Sequence, residues 1–491
     1  EEKSDSLIVA AKQANNPKGA ESVERRSGAK GNAEQPHMRR TQSRESMSQR
    51  LSRVREAAKQ RKKERFTALF HLLTAEALEN AFLSLSRKAA AGVDGVRWKD
   101  YAENLKVNIA DLHRRLHQGS YRAQPGRRHY IPKADGKQRP LGIASLEDKI
   151  VQYALVKILN AVYENDFMGF SYGFRPGRSQ HNALDALATG LVRTNVNWVL
   201  DADISQFFDK VSHEWLIRFI EHRIGDQRVI RLIRKWLTAG TSEEGEWRAS
   251  EEGTPQGAVI SPLLANIYLH YVFDLWAHQW RRRHATGNVV MVRYADDIVI
   301  GFDKRIDAQC FRIAMQRRLK EFGLTVHPKK TRLMEFGRFA AENRASRGKG
   351  KPETFNFLGF THISGKDRSG RFMLIRKTRR DRMTATLKAI KDGLRKRWHY
   401  SIPEQGKWLR RVVQGYLNYH SVPGNYPMMR KFRIYVTDLW RRALRRRSQQ
   451  DDTTWTKANR LAAVWLPKVR VLHPWPVERF TARHPRQEPG A

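Results

Sequence analysis

The sequence predicts an α+β protein whose C-terminal region is all helical. Three observations carry this. Between about Gln124 and Gly365, helical patterns alternate with short Val- and Ile-rich strands. Two such strands, "VVMVRY" and "IVIGF", flank an acidic turn within Val289 to Phe302. Beyond about Gly370 the chain reads as successive basic helices, from "RKTRRDRMTATLKAIKDGLRKRW" through "KWLRRVVQGYLNYH" to "RKFRIYVTDLWRRALRRR".

Taken in order, residues 1–50 are polar, rich in Ser, Gly, Arg, Lys and Glu, and are expected to form a basic, flexible extension without a core of its own. Residues 51–123 form a helical N-terminal extension. Phe66, Leu69, Phe70, Leu73, Leu78, Phe82 and Leu85 recur there at three- and four-residue spacings, so the pattern predicts helix from Ser52 to Ser86. "AGVDGV" (Ala91 to Val96) is a turn with Gly on both sides of Asp94. Residues 124–366 form the mixed α+β domain, 367–450 a helical domain, and 451–491 a basic tail rich in Pro, Trp and Arg. No internal repeat is present.

Length and charge narrow the function. The chain has 491 residues, ample for several domains, and carries 92 Lys and Arg against 50 Asp and Glu, a formal net charge of +42. Such an excess, spread along the chain, points to a nucleic-acid partner. No apolar run reaches the roughly 20 residues that span a bilayer, so no membrane role is expected. Cys310 is the only cysteine, which excludes disulfides within the chain and Cys-based zinc sites and suits a reducing compartment.

Against this charge, two adjacent carboxylates in a greasy hairpin stand out. Val289 to Tyr294 and Ile298 to Phe302 have strand composition, which leaves Ala295, Asp296 and Asp297 at the tip. A second segment, "NWVLDADISQFFDKVSHEWL", starts as a strand with Trp198, Leu200, Ala202 and Ile204 on one face and Val199, Asp201 and Asp203 on the other. A helix is expected to follow, since Phe207, Phe208, Val211, Trp215 and Leu216 have roughly helical spacing. Clustered carboxylates repel unless cations hold them. Mg2+ takes oxygen ligands and binds through one or two carboxylates plus substrate phosphates. Two such ions about 4 Å apart activate a hydroxyl nucleophile and stabilise a leaving pyrophosphate.

"YADD" in a hairpin with an upstream "DI…FFD" resembles motifs C and A of reverse transcriptases. "HYIPKADGKQRPLGIASLEDKIVQ" and "SYGFRPGRSQHNAL" resemble the finger blocks of group II intron-encoded proteins, and "GTPQGAVISPLLANIYLH" resembles motif B. "FGLTVHPKKTRLMEFG" resembles motif D, "FNFLGFTHI" the primer-grip block, and "VVQGYLNYH" the thumb, or X, domain of maturases. These blocks follow in order over roughly residues 70 to 480. The resemblance implies a right-hand polymerase: fingers and an antiparallel palm in 124–366, a thumb or maturase X domain in 367–450, and a nucleic-acid-binding tail after it.

It also implies roles. Asp203 and Asp296 are the main metal ligands with Asp297 beside them, and the Ile204 carbonyl completes one shell of a two-Mg2+ site. Asp201 shares the face of Asp203 and is its rival. Phe208 resembles the steric gate against a ribose 2′-hydroxyl, the alternative being core packing. Lys133 and Arg139 match the clamp on the triphosphate, with a point charge and a planar fork for phosphate oxygens. Gln256 lies beside Gly257, where backbone approaches the nucleotide. Lys330 resembles the motif D acid that protonates pyrophosphate, with Lys329 adjacent. Tyr294 is structural, lying near the primer end, and Phe357 to Phe360 position the primer. Of the aromatics after Gly370, Trp398, Tyr400, Trp408, Tyr416 and Tyr419 either stack on RNA or fill the bundle core; core is preferred for most.

The implied function is RNA-directed DNA polymerisation joined to splicing of a group II intron RNA and to intron mobility by target-primed reverse transcription. The expected partners are that intron RNA, an RNA template with a DNA or RNA primer, dNTPs and target DNA, in a cytoplasmic bacterial ribonucleoprotein of open oligomeric state. Group II intron proteins often end in an HNH endonuclease with Cys pairs. One cysteine implies a lineage lacking it, or a truncated chain. Two alternatives remain: a maturase with an idle polymerase site, and a related bacterial reverse transcriptase acting in defence or DNA repair.

Overall fold

The computed structural model describes residues 46–132, 138–243, 245–249, 252–447 and 453–483. The expected N-terminal extension, apart from its last few residues, and Lys133 lie outside the described residues. The elements in chain order are α1 (Met47–Gln60), α2 (Ala75–Ser84), α3 (Trp98–Glu103), α4 (Leu105–His117), β1 (Gly126–Pro132), β2 (Gln138–Ile143), α5 (Leu146–Tyr163), α6 (Gln180–Arg193), β3 (Trp198–Asp203), α7 (His213–Arg223), α8 (Gln227–Thr238), β4 (Thr241–Glu243), β5 (Glu246–Arg248) and α9 (Ser261–Leu269). They continue as α10 (Leu275–Arg283), β6 (Val289–Tyr294), β7 (Asp297–Phe302), α11 (Arg305–Glu321), β8 (Arg332–Glu335), α12 (Ala340–Ala345), β9 (Phe355–Phe357), β10 (Phe360–Lys366), β11 (Phe372–Thr378), α13 (Arg380–Arg395), α14 (Ile402–His420), α15 (Tyr426–Arg445), α16 (Trp455–Trp465) and α17 (Pro476–Arg483). Among the described residues no helix is long and apolar enough to cross a membrane.

Two compact units result: one runs to Asp166 and includes Leu216–Ser261, and the other comprises Phe167–Trp215 and Pro262 onward. In the first, β2-β1-β4-β5 form a sheet, and helices α2, α4, α5 and α8 bury Leu78, Phe82, Leu112, Ile150, Ile158 and Ile233. The expected helix from Ser52 to Ser86 is broken here. Phe66 bridges in parallel to Ile224, and the Asp226 carboxylate accepts from the main-chain N–H groups of Leu69 and Phe70, each at 2.8 Å. These distant partners take backbone groups that a continuous helix would have used internally. A short 3-10 turn at Phe70–Leu72 and α2 follow, with the Thr74 hydroxyl capping α2.

The second unit is built on the antiparallel sheet β6-β7-β3-β8. Register places Val199, Val290, Val292, Val299 and Met334 on one face, where they join Ala183, Leu184, Leu187 and Leu191 of α6 in one core. The opposite face carries Phe302, whose ring meets Phe311 of α11 at 5.5 Å. After β3 the expected long helix is two pieces: a 3-10 turn at Phe207–Asp209, then α7. Gln206 has a left-handed φ of 47°, which interrupts any helix.

The helical region expected from 367 starts later: Phe372–Thr378 form β11, paired with β10, and the helices begin at Arg380. Helices α13, α14, α15 and α16 share a core of Leu394, Leu409, Val413, Leu417, Phe432, Val436 and Trp440. Gly393 allows the Trp408 indole to lie where a side chain would stand: a Cβ there would meet the ring at 2.5 Å. Trp408 and Tyr416 serve this core, and Tyr416 stacks on Phe432 at 3.7 Å. Tyr419 packs against the sheet core and donates to the Leu358 carbonyl at 2.8 Å. Trp398 and Tyr400 are exposed, unlike most of the set.

His362 and His420 are among the histidines of this unit that resist protonation. His362 is wholly buried, stacked on Phe355 at 4.7 Å, and burial aided by Arg376 pushes its pKa down to about 3. Burial and Arg382 push His420 down to about 3 as well. Above the ordinary value near 6.5 both are neutral, folded or unfolded, so they cost nothing there. As pH falls below 6.5 the unfolded chain takes up protons that the fold refuses, and stability is lost progressively toward pH 3, by on the order of 1 kcal/mol per pH unit for each histidine. Urea unfolding at pH 7 and pH 5 is therefore expected to show a lower midpoint at pH 5, and His362→Phe, which keeps the stack, is expected to shrink the difference. An unchanged difference in that variant contradicts the assignment to His362.

Candidate active site

The acidic hairpin turns on two residues. Tyr294 pairs with Asp297 across it, so Ala295 and Asp296 form the turn and Asp297 is the first residue of β7. Only Ala295 of the two has positive φ, at 56°, as a primed two-residue turn requires at its first position. An alanine there is strained, and the surroundings hold it. Gly173 lies directly against the turn: a Cβ on it would meet the Ala295 nitrogen at 2.3 Å. Segment Phe170–Tyr172 runs beside β6, with Tyr172 N–H donating to the Arg293 carbonyl and Arg293 N–H to the Phe170 carbonyl, both at 2.8 Å.

The Arg293 side chain supports the turn from behind. It is fully buried and donates to the Asp274 carboxylate at 2.7 and 2.5 Å, to Asn266 Oδ1 at 3.0 Å, to Ser171 Oγ at 2.7 Å and to the Ala295 carbonyl at 3.0 Å. Asn266 in turn donates to the Gly173 carbonyl at 2.7 Å. Asp274 ends a π-helical segment, His270–Asp274, between α9 and α10. π-Bulges re-aim helix side chains and gather at functional sites. Sequence inspection missed Arg293, Asp274 and Asn266. Their signal was a charged residue, Arg293, inside an otherwise apolar strand.

On the opposite face of the same sheet stand the carboxylates. Asp203 lies directly across from Asp297 in the β3–β7 register, while Asp201 lies across from Val299. The main-chain groups of Asp203 point to the other neighbour: His327 N–H donates to the Asp203 carbonyl at 2.7 Å, and Asp203 N–H donates to Thr331 Oγ1 at 3.4 Å. Asp203 and Asp297 are therefore a non-hydrogen-bonded pair, the kind in which opposed Cα atoms are only about 4.5 Å apart and side chains are closest. Asp203 is 6% exposed, and Asp296 and Asp297 are half-buried.

The next residue alternates. Ile204 bridges Val326 with hydrogen bonds from its neighbours, Ser205 N–H to the Thr325 carbonyl at 2.8 Å and His327 N–H to the Asp203 carbonyl. Its own carbonyl therefore points to the side of the hairpin tip. Lys330 places its ammonium 3.4 Å from Asp203 Oδ2, whereas Lys329 is exposed. Phe207 is buried, and Phe208 is half-buried, edge-on to Phe174 at 6.4 Å; Phe174 is tilted against Tyr294 at 6.5 Å. Among the described residues no three His, Cys, Asp or Glu side chains converge as a ready metal cage. The donors suited to a hard cation are carboxylates of a strand pair and its turn, with one main-chain carbonyl. That is the donor chemistry Mg2+ accepts, because it retains water and substrate oxygens.

The first unit holds a second group. Arg139, in β2, donates through Nε to Gln256 Oε1 at 2.9 Å, and the Gln256 carbonyl accepts from Gly142 N–H at 2.7 Å. Gly257 has φ 105°, and a Cβ there would meet the Gly142 carbonyl at 3.1 Å, so glycine permits both the turn and the close approach.

Removing Asp274 tests the support beneath the hairpin. Asp274→Asn leaves the Arg293 guanidinium buried without its counter-charge. Breaking such a pair costs about 3–5 kcal/mol, and urea denaturation is expected to show a loss of that order. A loss below about 1 kcal/mol contradicts a buried, dependent pair.

Residues 131–362 match the family described as reverse transcriptase (RNA-dependent DNA polymerase). The chain is 43% identical over 206 residues to protein YkfC of Escherichia coli K12, covering 41% of this chain and 54% of that protein. It is 42% identical over 172 residues to an uncharacterized 91 kDa protein in a cob intron of Schizosaccharomyces pombe, covering 35% and 21%. It is 37% identical over 223 residues to the group II intron-encoded protein LtrA of Lactococcus lactis, covering 45% and 37%. The chain thus spans about half or less of the length of these relatives. Residues 131–362 form a reverse transcriptase domain with a palm-and-fingers fold, and the chain is similar to group II intron-encoded proteins and intron maturases.

Proposed function

We propose that this chain is an RNA-directed DNA polymerase that also binds a group II intron RNA as a splicing maturase. The observation that carries the polymerase reading is the directly opposed pair Asp203 and Asp297, with Asp296 at the turn and the Ile204 carbonyl aimed to the same side. In this reading Asp203, Asp296, Asp297 and the Ile204 carbonyl hold two Mg2+ ions, which supply activation of a primer 3′-hydroxyl and neutralisation of a leaving pyrophosphate. Asp203 is preferred to Asp201 because its side chain stands beside that of Asp297. Lys330 gives a proton to the leaving group in this reading, which the position of its ammonium beside Asp203 supports. Phe208 limits room at the sugar, since Phe207 is the one that enters the core. Arg139, with Gln256 holding its fork, and Lys133 bind triphosphate oxygens. Phe357 to Phe360 position the primer.

The helices after β11 act as thumb and X domain, and their basic faces follow phosphates with little sequence preference. The substrates are dNTPs and an RNA template with a DNA or RNA primer. The RNA partner is an intron, and target DNA primes reverse transcription in mobility, within a bacterial cytoplasmic ribonucleoprotein. The names of relatives such as the intron-encoded protein LtrA support the intron reading.

Two outcomes test this. Asp296→Asn is expected to lower primer extension with dNTPs and Mg2+ by far more than tenfold, with RNA binding near normal; extension within about tenfold of wild type, roughly 1.4 kcal/mol of barrier, contradicts the ligand role. Splicing, in contrast, asks the protein only to bind and shape RNA. Asp203→Ala is therefore expected to keep promoting splicing of the flanking intron RNA at low Mg2+. If the intact protein gives no enhancement on that RNA, the maturase half is wrong and a reverse transcriptase acting in defence or repair becomes the better reading.

A further inference from the structure

Two helical stripes after β11 face one cleft. Lys391, Leu394, Arg395 and Trp398 recur at i, i+3, i+4 and i+7 along α13 and its end, and Leu439, Arg442, Ala443 and Arg446 repeat the same spacing along α15. They line a cavity of about 110 Å³ together with Gln405 of α14. Its floor is fixed. Leu394 is buried, and Gln405, 1% exposed, donates to the Arg397 carbonyl at 2.7 Å and accepts from Trp440 Nε1 at 2.9 Å. Its rim is cationic. Among the described residues no carboxylate pairs with Lys391, Arg395 or Arg446. Arg442 pairs with Asp438 at 2.7 Å, but its side chain is 67% exposed, and such surface pairs hold weakly. The Trp398 indole is 37% exposed at this cleft, and no aromatic ring or cation of the described residues stacks on it.

An apolar slot walled by a free indole suits a flat ring system. Four cations with no lining carboxylate suit an adjacent anion. One ligand class combines both: a nucleotide whose base has left its stack. We infer that this cleft takes one unstacked nucleotide of single-stranded RNA, with the base against Trp398 and its phosphates on Arg395, Arg442 and Arg446. A base held in a duplex stack cannot enter, whereas loops and bulges present bases in this way. The choice of RNA over DNA rests on the maturase reading above; the cleft chemistry does not.

The test compares a short fluorescein-labelled single-stranded RNA, its fully paired duplex and a single-stranded DNA of the same sequence, by anisotropy with the full chain. Trp398→Ala is expected to weaken single-stranded RNA about tenfold and duplex RNA by less than about twofold, in the range that base–aromatic stacking supplies. Trp398→Phe is expected to restore most of that affinity. A thiouridine-bearing RNA is expected to cross-link the wild-type peptide containing Trp398, which decides the matter if the alanine variant does not fold. Equal weakening of strand and duplex, or no weakening and no cross-link, overturns the cleft as a base site. Dependence on Trp398 for DNA but not RNA overturns the assignment to RNA. Splicing of the flanking intron RNA by the wild-type chain, run in parallel, separates the two readings: splicing enhancement without any Trp398 effect sinks the cleft alone, and Trp398-dependent RNA binding without splicing enhancement sinks the maturase reading alone.

Discussion

The buried guanidinium of Arg293 constrains the hairpin and much that surrounds it. A full charge in a protein core is tolerated only when every donor finds an acceptor and a counter-charge stands beside it. Arg293 meets this with Asp274, Asn266, Ser171 and the Ala295 carbonyl. Each partner imposes its own requirement. Asp274 stands at the end of a π-helical segment, Asn266 must also hold the Gly173 carbonyl, and Ala295 must accept a left-handed backbone. The strain at Ala295 and the irregular helix are thus two ends of one network, and both are stabilised by contacts that exist only when the strands are paired.

That network lies on one face of a sheet whose other face carries the carboxylates. The division has a physical use. The hydrophobic core beneath α6 fixes β3 and β7 through Val199 and Val299, and each strand leaves this core as it approaches its acidic end. Acidic side chains mounted on buried strands have little freedom to move apart, so their mutual repulsion persists as an attraction for cations. Around them the chain carries a formal net charge of +42. An acidic patch within a basic protein is the arrangement expected where a polyanion and its counter-ions must meet at one place.

Periodicity and composition made some of this legible. A largely apolar run split by Ala-Asp-Asp marked the hairpin, and alternation around Trp198 to Asp203 marked its partner strand. Three- and four-residue spacing marked the helices after Gly370. These features are local, and local sequence encodes them because strand and helix differ in the period of their buried side chains. Where distant backbone or side chains supplied the partners, the pattern misled. Asp226 captured the N–H groups of Leu69 and Phe70 and broke a helix that the spacing of Phe66, Leu69 and Phe70 had suggested. Asp296 and Asp297 read alike in sequence, yet one is the turn and the other begins a strand.

Sequence by itself determined the α+β class, the strands that carry carboxylates, the basic helical region and, through the order of its motifs, the resemblance to group II intron-encoded proteins. Tertiary structure alone decided that Asp203 rather than Asp201 faces Asp297, that Lys330 rather than Lys329 approaches Asp203, and that Trp398 stays outside a core that takes in Trp408 and Tyr416. The reason is register. Residues two apart on a strand, or one apart in a turn, share every local property, and only the pairing of a strand with a partner remote in sequence gives each a different neighbour.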